Sequence, residues 1–296
     1  MVADRAHLKT SNNGSAIWAC TGLPCCLAGR MYKPIITAWQ CAALAVALAA
    51  TIAFACAILQ PAHAQTPLPS PCPAMPAPTH FALPHTSAAI AANQPVLVVA
   101  FGSSSTRGWM ASGIGHAYPA ILQRLLADAR PFAAFAVVNR GVGGQGAAEE
   151  LNRLDQDVLA LHPQLVIWQT GANDALRGDT PDRFRATVTQ GVARMQAAGA
   201  DVVLMDNQHS PRLDASPLAP RMNRALADIA AGTAVNLFSR AALMQAWDDA
   251  GAKNATFIAH DGLHLNDLGY ACTAAALARD IASALPTHTT HPYPRP

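Results

Sequence analysis

The chain has 296 residues, of which 51% are hydrophobic and only 13% charged, a length and balance that suit one large globular core or two small ones. Its formal net charge of +2, with no block of like charges and no basic stripe with interleaved aromatics, argues against nucleic acid or an anionic surface as a partner. No repeat at solenoid or propeller period occurs, which excludes those architectures.

The first recognisable element is a targeting segment. From Met31 the chain reads MYKPIITAWQCAALAVALAATIAFACAILQPAHAQ. A lysine, a long apolar run and Ala62-His63-Ala64 ahead of Gln65 are the parts of a secretory signal peptide. The apolar stretch, residues 35–59, is also long enough to span a bilayer, so the competing expectation is an uncleaved inner-membrane anchor. Cleavage after Ala64 is preferred, because the small-x-small site lies where a signal peptidase needs it. Residues 1–30 carry no clear pattern, and Met31 is a second candidate start. On either reading residues 1–64 are an upstream segment plus signal peptide or anchor. The remainder is exported to the periplasm or secreted, and membrane contact comes only through the N-terminal segment.

Residues 65–94, with PLPSPCPAMPAP at their centre, have no helical or strand period and read as an extended proline-rich linker. A single domain is expected over 95–286, and the tail 287–296 has the composition of a disordered end. Five of the seven cysteines (Cys20, Cys25, Cys26, Cys41 and Cys56) fall in the segment to be removed or embedded. The two survivors, Cys72 and Cys272, are expected to pair in an oxidising compartment and tie the linker to the last helix. The alternative is a buried thiol at Cys272 and a free one at Cys72. No Cys/His cluster has zinc spacing, so neither a metal nor another cofactor is expected.

Within the domain, short apolar runs alternate with longer helical patterns. Strands are predicted at 96–101, 135–139, 165–170, 201–206 and 233–238, each apolar without alternation, as suits strands covered on both faces. Helices are predicted near 116–129, 147–161, 181–198, 217–231, 239–250 and 266–284, the third opened by Thr180 before Pro181. The repeating β-α order points to a parallel sheet with helices on both sides. Ligands of such sheets gather at the carboxyl ends of the strands.

Polar groups cluster at those ends. GSSSTRG follows the first strand, NRGVGGQG the second and TGANDA the third, while HDGLHLNDLGY comes after the fifth strand and its helix. A serine hydrolase needs a base, a group that orients the base, and donors aimed at an oxyanion. Asp261 and His264 are spaced to let the carboxylate reach Nδ1 and leave Nε2 for a serine. Glycines in VGGQ let a backbone N–H approach a substrate oxygen, Asn173 offers a side-chain N–H, and a serine opening a helix adds its own N–H at the positive end. Each signal alone also fits a plain turn, a tight βα connection or a loop cap. Their joint placement at successive strand ends, in this order, is what favours a site. His209 is a candidate for the cleft wall, His260 reads as a loop residue, and Asp174 and Asp206 as loop braces.

These residues resemble the GDSL or SGNH hydrolases, whose blocks centre on Ser, Gly, Asn and His. Gly102-Ser103-Ser104-Ser105-Thr106-Arg107-Gly108 matches the first block, with Ser103 where that family has aspartate. Gly144 falls on the glycine of the second block, Gly171-Ala172-Asn173-Asp174 on the third, and Asp261-Gly262-Leu263-His264 on the last. The resemblance implies an α/β fold: a three-layer α/β/α flavodoxin-like sandwich with five parallel strands ordered 2-1-3-4-5. It also implies a metal-free serine esterase in which Ser104, His264 and Asp261 form the triad. Ser104 and Gly144 N–H groups and the Asn173 amide would then form the oxyanion hole. The expected substrate is a small-molecule or glycan ester with a short acyl group, such as acetyl, since no long insertion suggests a lipid-sized lid. An O-acyltransferase with the same triad, a lysophospholipase- or thioesterase-like lipid hydrolase and a non-catalytic glycan-binding module are the alternatives.

Overall fold

Three of the predicted apolar runs become strands buried along nearly their whole length, because helices cover them on both faces. The computed structural model describes residues 72–287. The expected targeting segment and cleavage site, the first residues of the expected linker and the tail from residue 288 onward lie outside the described residues. Strands β1 (Val96–Gly102), β2 (Phe135–Gly141), β3 (Leu165–Gln169), β4 (Asp201–Met205) and β5 (Asn236–Phe238) form one parallel sheet in the order 2-1-3-4-5, as expected. The helices are α1 (Pro84–Ala91), α2 (Ser104–Arg107), α3 (Tyr118–Ala129), α4 (Ala147–Asn152), α5 (Leu154–Asp157) and α6 (Ala172–Arg177), followed by α7 (Pro181–Ala197), α8 (Pro211–Asp214), α9 (Ala219–Thr233), α10 (Arg240–Asp249) and α11 (Asp267–Ser283). Among the described residues no helix is long and apolar enough to cross a membrane.

Side chains two apart along a strand point to the same face, and the core divides accordingly. Val96, Val98, Ala100, Ile167 and Met205 pack with Leu122 and Leu126 of α3, Trp247 of α10 and Leu277 of α11. Val99, Phe101, Val166, Trp168 and Leu204 face the other way, onto Val188 and Val192 of α7 and Met222 and Leu226 of α9. This is the three-layer sandwich. Strand β5 is half the predicted length because α9 continues through Thr233 and ends at Ala234 in the left-handed region.

The expectation of an extended linker up to residue 94 fails over its second half. Residues 81–92 are packed, with Phe81, Leu83 and Ile90 buried in the first core layer. Helix α1 forms on a proline-rich sequence for two reasons. Pro84 suits the first helical turn, and the Asp201 carboxylate accepts hydrogen bonds from the His85 and Thr86 N–H groups at 3.2 and 2.8 Å. That carboxylate comes from the start of β4, 115 residues away from Thr86, so no local pattern could announce the cap. Asn236 ties this N-terminal strap, residues 72–92, to the sheet edge through both backbone groups of Ala82. Cys72 and Cys272 are joined by a disulfide, which fastens the start of the strap to α11.

Glu150 of α4 is buried, accepting from Trp168 Nε1 at 2.8 Å, while its second oxygen and the Thr170 hydroxyl have no partner. Burial pushes its carboxyl from 4.5 up to about 8, although Trp168 pulls the other way. Its contribution to stability is therefore full below about pH 4.5 and is lost as the pH rises through about 8. Melting curves of Glu150→Gln should show the variant gaining on the wild type as pH rises through that window, by roughly 2–4 kcal/mol. A difference in melting temperature independent of pH would refute a protonated Glu150.

Candidate active site

Strand β1 ends at Gly102, and the chain turns at once into the short helix α2, whose first residue is Ser104. The turn brings Ser104 Oγ to 2.7 Å from His264 Nε2, across 160 residues of sequence. His264 Nδ1 is 2.5 Å from Asp261 Oδ2, and Asp261 Oδ1 accepts the Leu263 and His264 N–H groups, both at 3.0 Å. Partial burial would raise the Asp261 carboxyl, but the His264 ring and these two N–H groups outweigh it and hold it below the usual carboxylate range. A carboxylate fixed on Nδ1 sets the tautomer that leaves Nε2 to accept the serine proton.

Three candidate donors line one cleft with the serine–histidine pair. The Ser104 N–H opens α2, and the Gly144 N–H follows β2; neither has a hydrogen-bond partner among the described residues. Gly144 takes a left-handed backbone (φ +81°), which glycine adopts without strain. Asn173, near the start of α6, spends one N–H on the Gln145 carbonyl at 2.7 Å, and its second N–H is available. Serine, histidine, Gly144 and Asn173 line one cleft of about 580 Å³. A groove of similar volume between the strap and α9–α10 is lined largely by alanine and apolar side chains and contains no hydrogen-bonded serine–histidine pair.

The predicted serine, histidine, aspartate, Gly144 and Asn173 thus come together, while neither cysteine of the disulfide lines the cleft. The residues set aside earlier also find places. His209 does not line the cleft; its Nδ1 is 2.9 Å from Asp214, beside a separate cavity. Asp174 accepts the Ala147 N–H at 3.0 Å and braces the start of α4. Asp206 accepts from Ser239 at 2.6 Å and from the Ala241 N–H, bracing α10, and His260 is exposed.

Three supporting residues escaped the sequence reading. Gln169, the last residue of β3, is buried, and its Oε1 accepts from Ser103 N, Ser103 Oγ and Thr106 Oγ1 at 3.0–3.2 Å. It fixes both ends of the turn that carries Ser104 at once. Ser103, where the GDSL pattern has aspartate, is therefore an inward-facing brace of that turn. Arg153 bonds the Gly102 and Arg140 carbonyls, both at 2.9 Å, joining the ends of β1 and β2. Arg177 donates to the Gly144 carbonyl and pairs with Glu149 at 2.7 Å, so it orients the peptide next to the candidate oxyanion donor. Gly141 lets β2 pass against α2, since a Cβ there would stand 2.1 Å from the Arg107 nitrogen. The only signal for Gln169 was a polar residue closing an otherwise apolar strand.

Residues 69–287 match the family described as the Non-GDSL lipase-like family. The chain is 32% identical over 127 residues to Esterase TesA of Pseudomonas aeruginosa, covering 41% of this chain and 58% of the relative. It is 30% identical over 125 residues to an arylesterase of Vibrio mimicus, covering 42% and 60%. The chain spans less than two thirds of either relative. Among solved structures, a two-domain esterase active on acetylated mannans superposes with a TM-score of 0.60 at 22% identity, over 73% of this chain and 57% of that one, a likeness of fold.

Proposed function

The chain belongs to the Non-GDSL lipase-like family, and from that premise we propose that it is an exported serine esterase of the SGNH type acting on short-acyl esters. The observation that carries the reading is the continuous contact from Ser104 Oγ through His264 to Asp261. In the proposed reaction His264 takes the proton as Ser104 Oγ attacks the ester carbonyl. Negative charge on the carbonyl oxygen is met by the Ser104 and Gly144 N–H groups and the Asn173 amide. Collapse of the tetrahedral intermediate breaks the ester C–O bond, and His264 returns its proton to the leaving alcohol. Water, deprotonated by the same imidazole, then cleaves the acyl-serine and releases the acid. Asp261 stays ionised throughout and stabilises the imidazolium.

Export is supported by the disulfide between Cys72 and Cys272 and by the apolar run ending in Ala62-His63-Ala64. A short acyl group is supported by the cleft, where Leu176 and Leu263 are the aliphatic side chains among polar and charged neighbours. Initial rates on 4-nitrophenyl esters from acetate to palmitate test the reading: kcat/KM should fall as the acyl chain lengthens. A rise toward palmitate would assign the enzyme to lipids instead, and product analysis with a sugar acceptor separates hydrolysis from acyl transfer. Replacing Asn173 with alanine should lower kcat by about 10²–10³ with little change in KM. Kinetics within a few-fold of wild type would remove Asn173 from the oxyanion hole.

A further inference from the structure

The charge around Ser104 is one-sided. Arg107, Arg177 and Arg212 line the cleft, and among the described residues no aspartate or glutamate does. Arg177 is committed to Glu149 and to the Gly144 carbonyl. Asp261 lies behind His264 and is engaged by it, and Asp214, on the same helix as Arg212, pairs with His209. Arg107 and Arg212 are left exposed with no side-chain hydrogen bond or ion pair among the described residues. Arg107 lies one helical turn beyond Ser104, its guanidinium 6.0 Å from the centre of the Trp109 ring. Arg212 comes from α8, its N–H bonded to the Gly262 carbonyl at 3.0 Å, two residues from His264. One unpartnered cation thus shares the helix of Ser104, and the other is bonded to the loop that carries His264. The alcohol of an ester departs on the side of the base that protonates it, which is the side of Arg212.

We propose that this cleft selects esters whose alcohol part carries an anionic group, a carboxylate or a phosphate, recognised by Arg212 with Arg107 completing the positive rim. A guanidinium presents a planar fork of donors that matches either anion in a bidentate way, and exposed Trp109 supplies an apolar face beside it. The proposal rests on the esterase reading for its catalytic test and stands apart from it for binding.

The test compares three acetyl esters: 4-acetoxybenzoate, 4-acetoxyphenyl phosphate and the uncharged methyl 4-acetoxybenzoate. The ratio of kcat/KM for each anionic ester to that for the neutral one should fall about tenfold in Arg212→Gln, and further in Arg107→Gln/Arg212→Gln. Rising sodium chloride should erode the wild-type preference. The anion whose ratio falls more is the one recognised. Arg221→Gln, an exposed arginine of α9 away from the cleft, should keep the wild-type ratios. Equal ratios in the wild type and the double variant would overturn the proposal. If the wild type cleaves none of the three, the esterase reading fails, and binding decides the anion site. Tryptophan fluorescence of Ser104→Ala is then titrated with 4-hydroxybenzoate and with phenyl phosphate. Saturable quenching lost on replacing both arginines supports the site; quenching indifferent to them, or none, overturns it.

Discussion

Replacing Ser104 with alanine should lower kcat for 4-nitrophenyl acetate by about 10⁴- to 10⁶-fold. Two neighbours make the experiment informative, since Ser103 and Ser105 are equally serine and flank the same turn. Ser104 alone carries the hydrogen bond to His264, whereas Ser103 Oγ turns inward to Gln169. Ser103→Ala forfeits one bond of the turn and should retain most of the activity. Residues of a catalytic unit do not add, so Ser104→Ala/His264→Ala should be no slower than either single variant. Activity within tenfold of wild type in Ser104→Ala, or an equal collapse in Ser103→Ala, would move the nucleophile elsewhere.

Removing the disulfide should be the largest single loss of stability. Cys72 and Cys272 are separated by 200 residues, and cross-linking a loop of that size removes much of the freedom of the unfolded chain. Loss of a native bridge of this kind costs about 2–5 kcal/mol, or roughly 5–15 °C in melting temperature for a domain of this size. Thermal unfolding of Cys72→Ala/Cys272→Ala, and of the wild type with and without dithiothreitol, measures it. Alanine is the right replacement at 272 because that side chain is fully buried and a serine would add an unsatisfied hydroxyl. Identical melts with and without reductant would mean that the strap holds without the bridge. The strap has other anchors that would survive reduction: Phe81 and Leu83 in the core, Thr86 on Asp201, and Arg279 on the Pro76 carbonyl at 2.6 Å.

The strands and their order could be read from the sequence because each central strand is apolar on both faces and each connection is a helix. The blocks around Ser104, Gly144, Asn173 and His264 were legible for a related reason. They are polar interruptions at places where a parallel sheet leaves a crevice. What stayed hidden depends on partners distant in sequence. Helix α1 owes its first turn to Asp201, and nothing between residues 84 and 91 hints at that carboxylate. Gln169 and Arg153 act on backbone atoms of other strands, so their own surroundings in the sequence carry no trace of the role. Arg107 and Arg212 are ordinary surface arginines until the fold brings both into the lining of one cleft.

The bond between Ser104 and His264 spans 160 residues, which dictates when the machinery can exist. A chain made from its N-terminus carries Ser104 through the next 160 residues before His264 has been translated. Loop 258–266 leads directly into α11, whose Asp267 carboxylate receives the Ser112 N–H and hydroxyl at 2.8 and 2.6 Å. Parallel strands and contacts this distant favour slow folding of the domain. Contact between Ser104 and His264 is therefore a late event that waits for the C-terminal helix, and on the proposed reading a growing or truncated chain lacking that helix should be inactive.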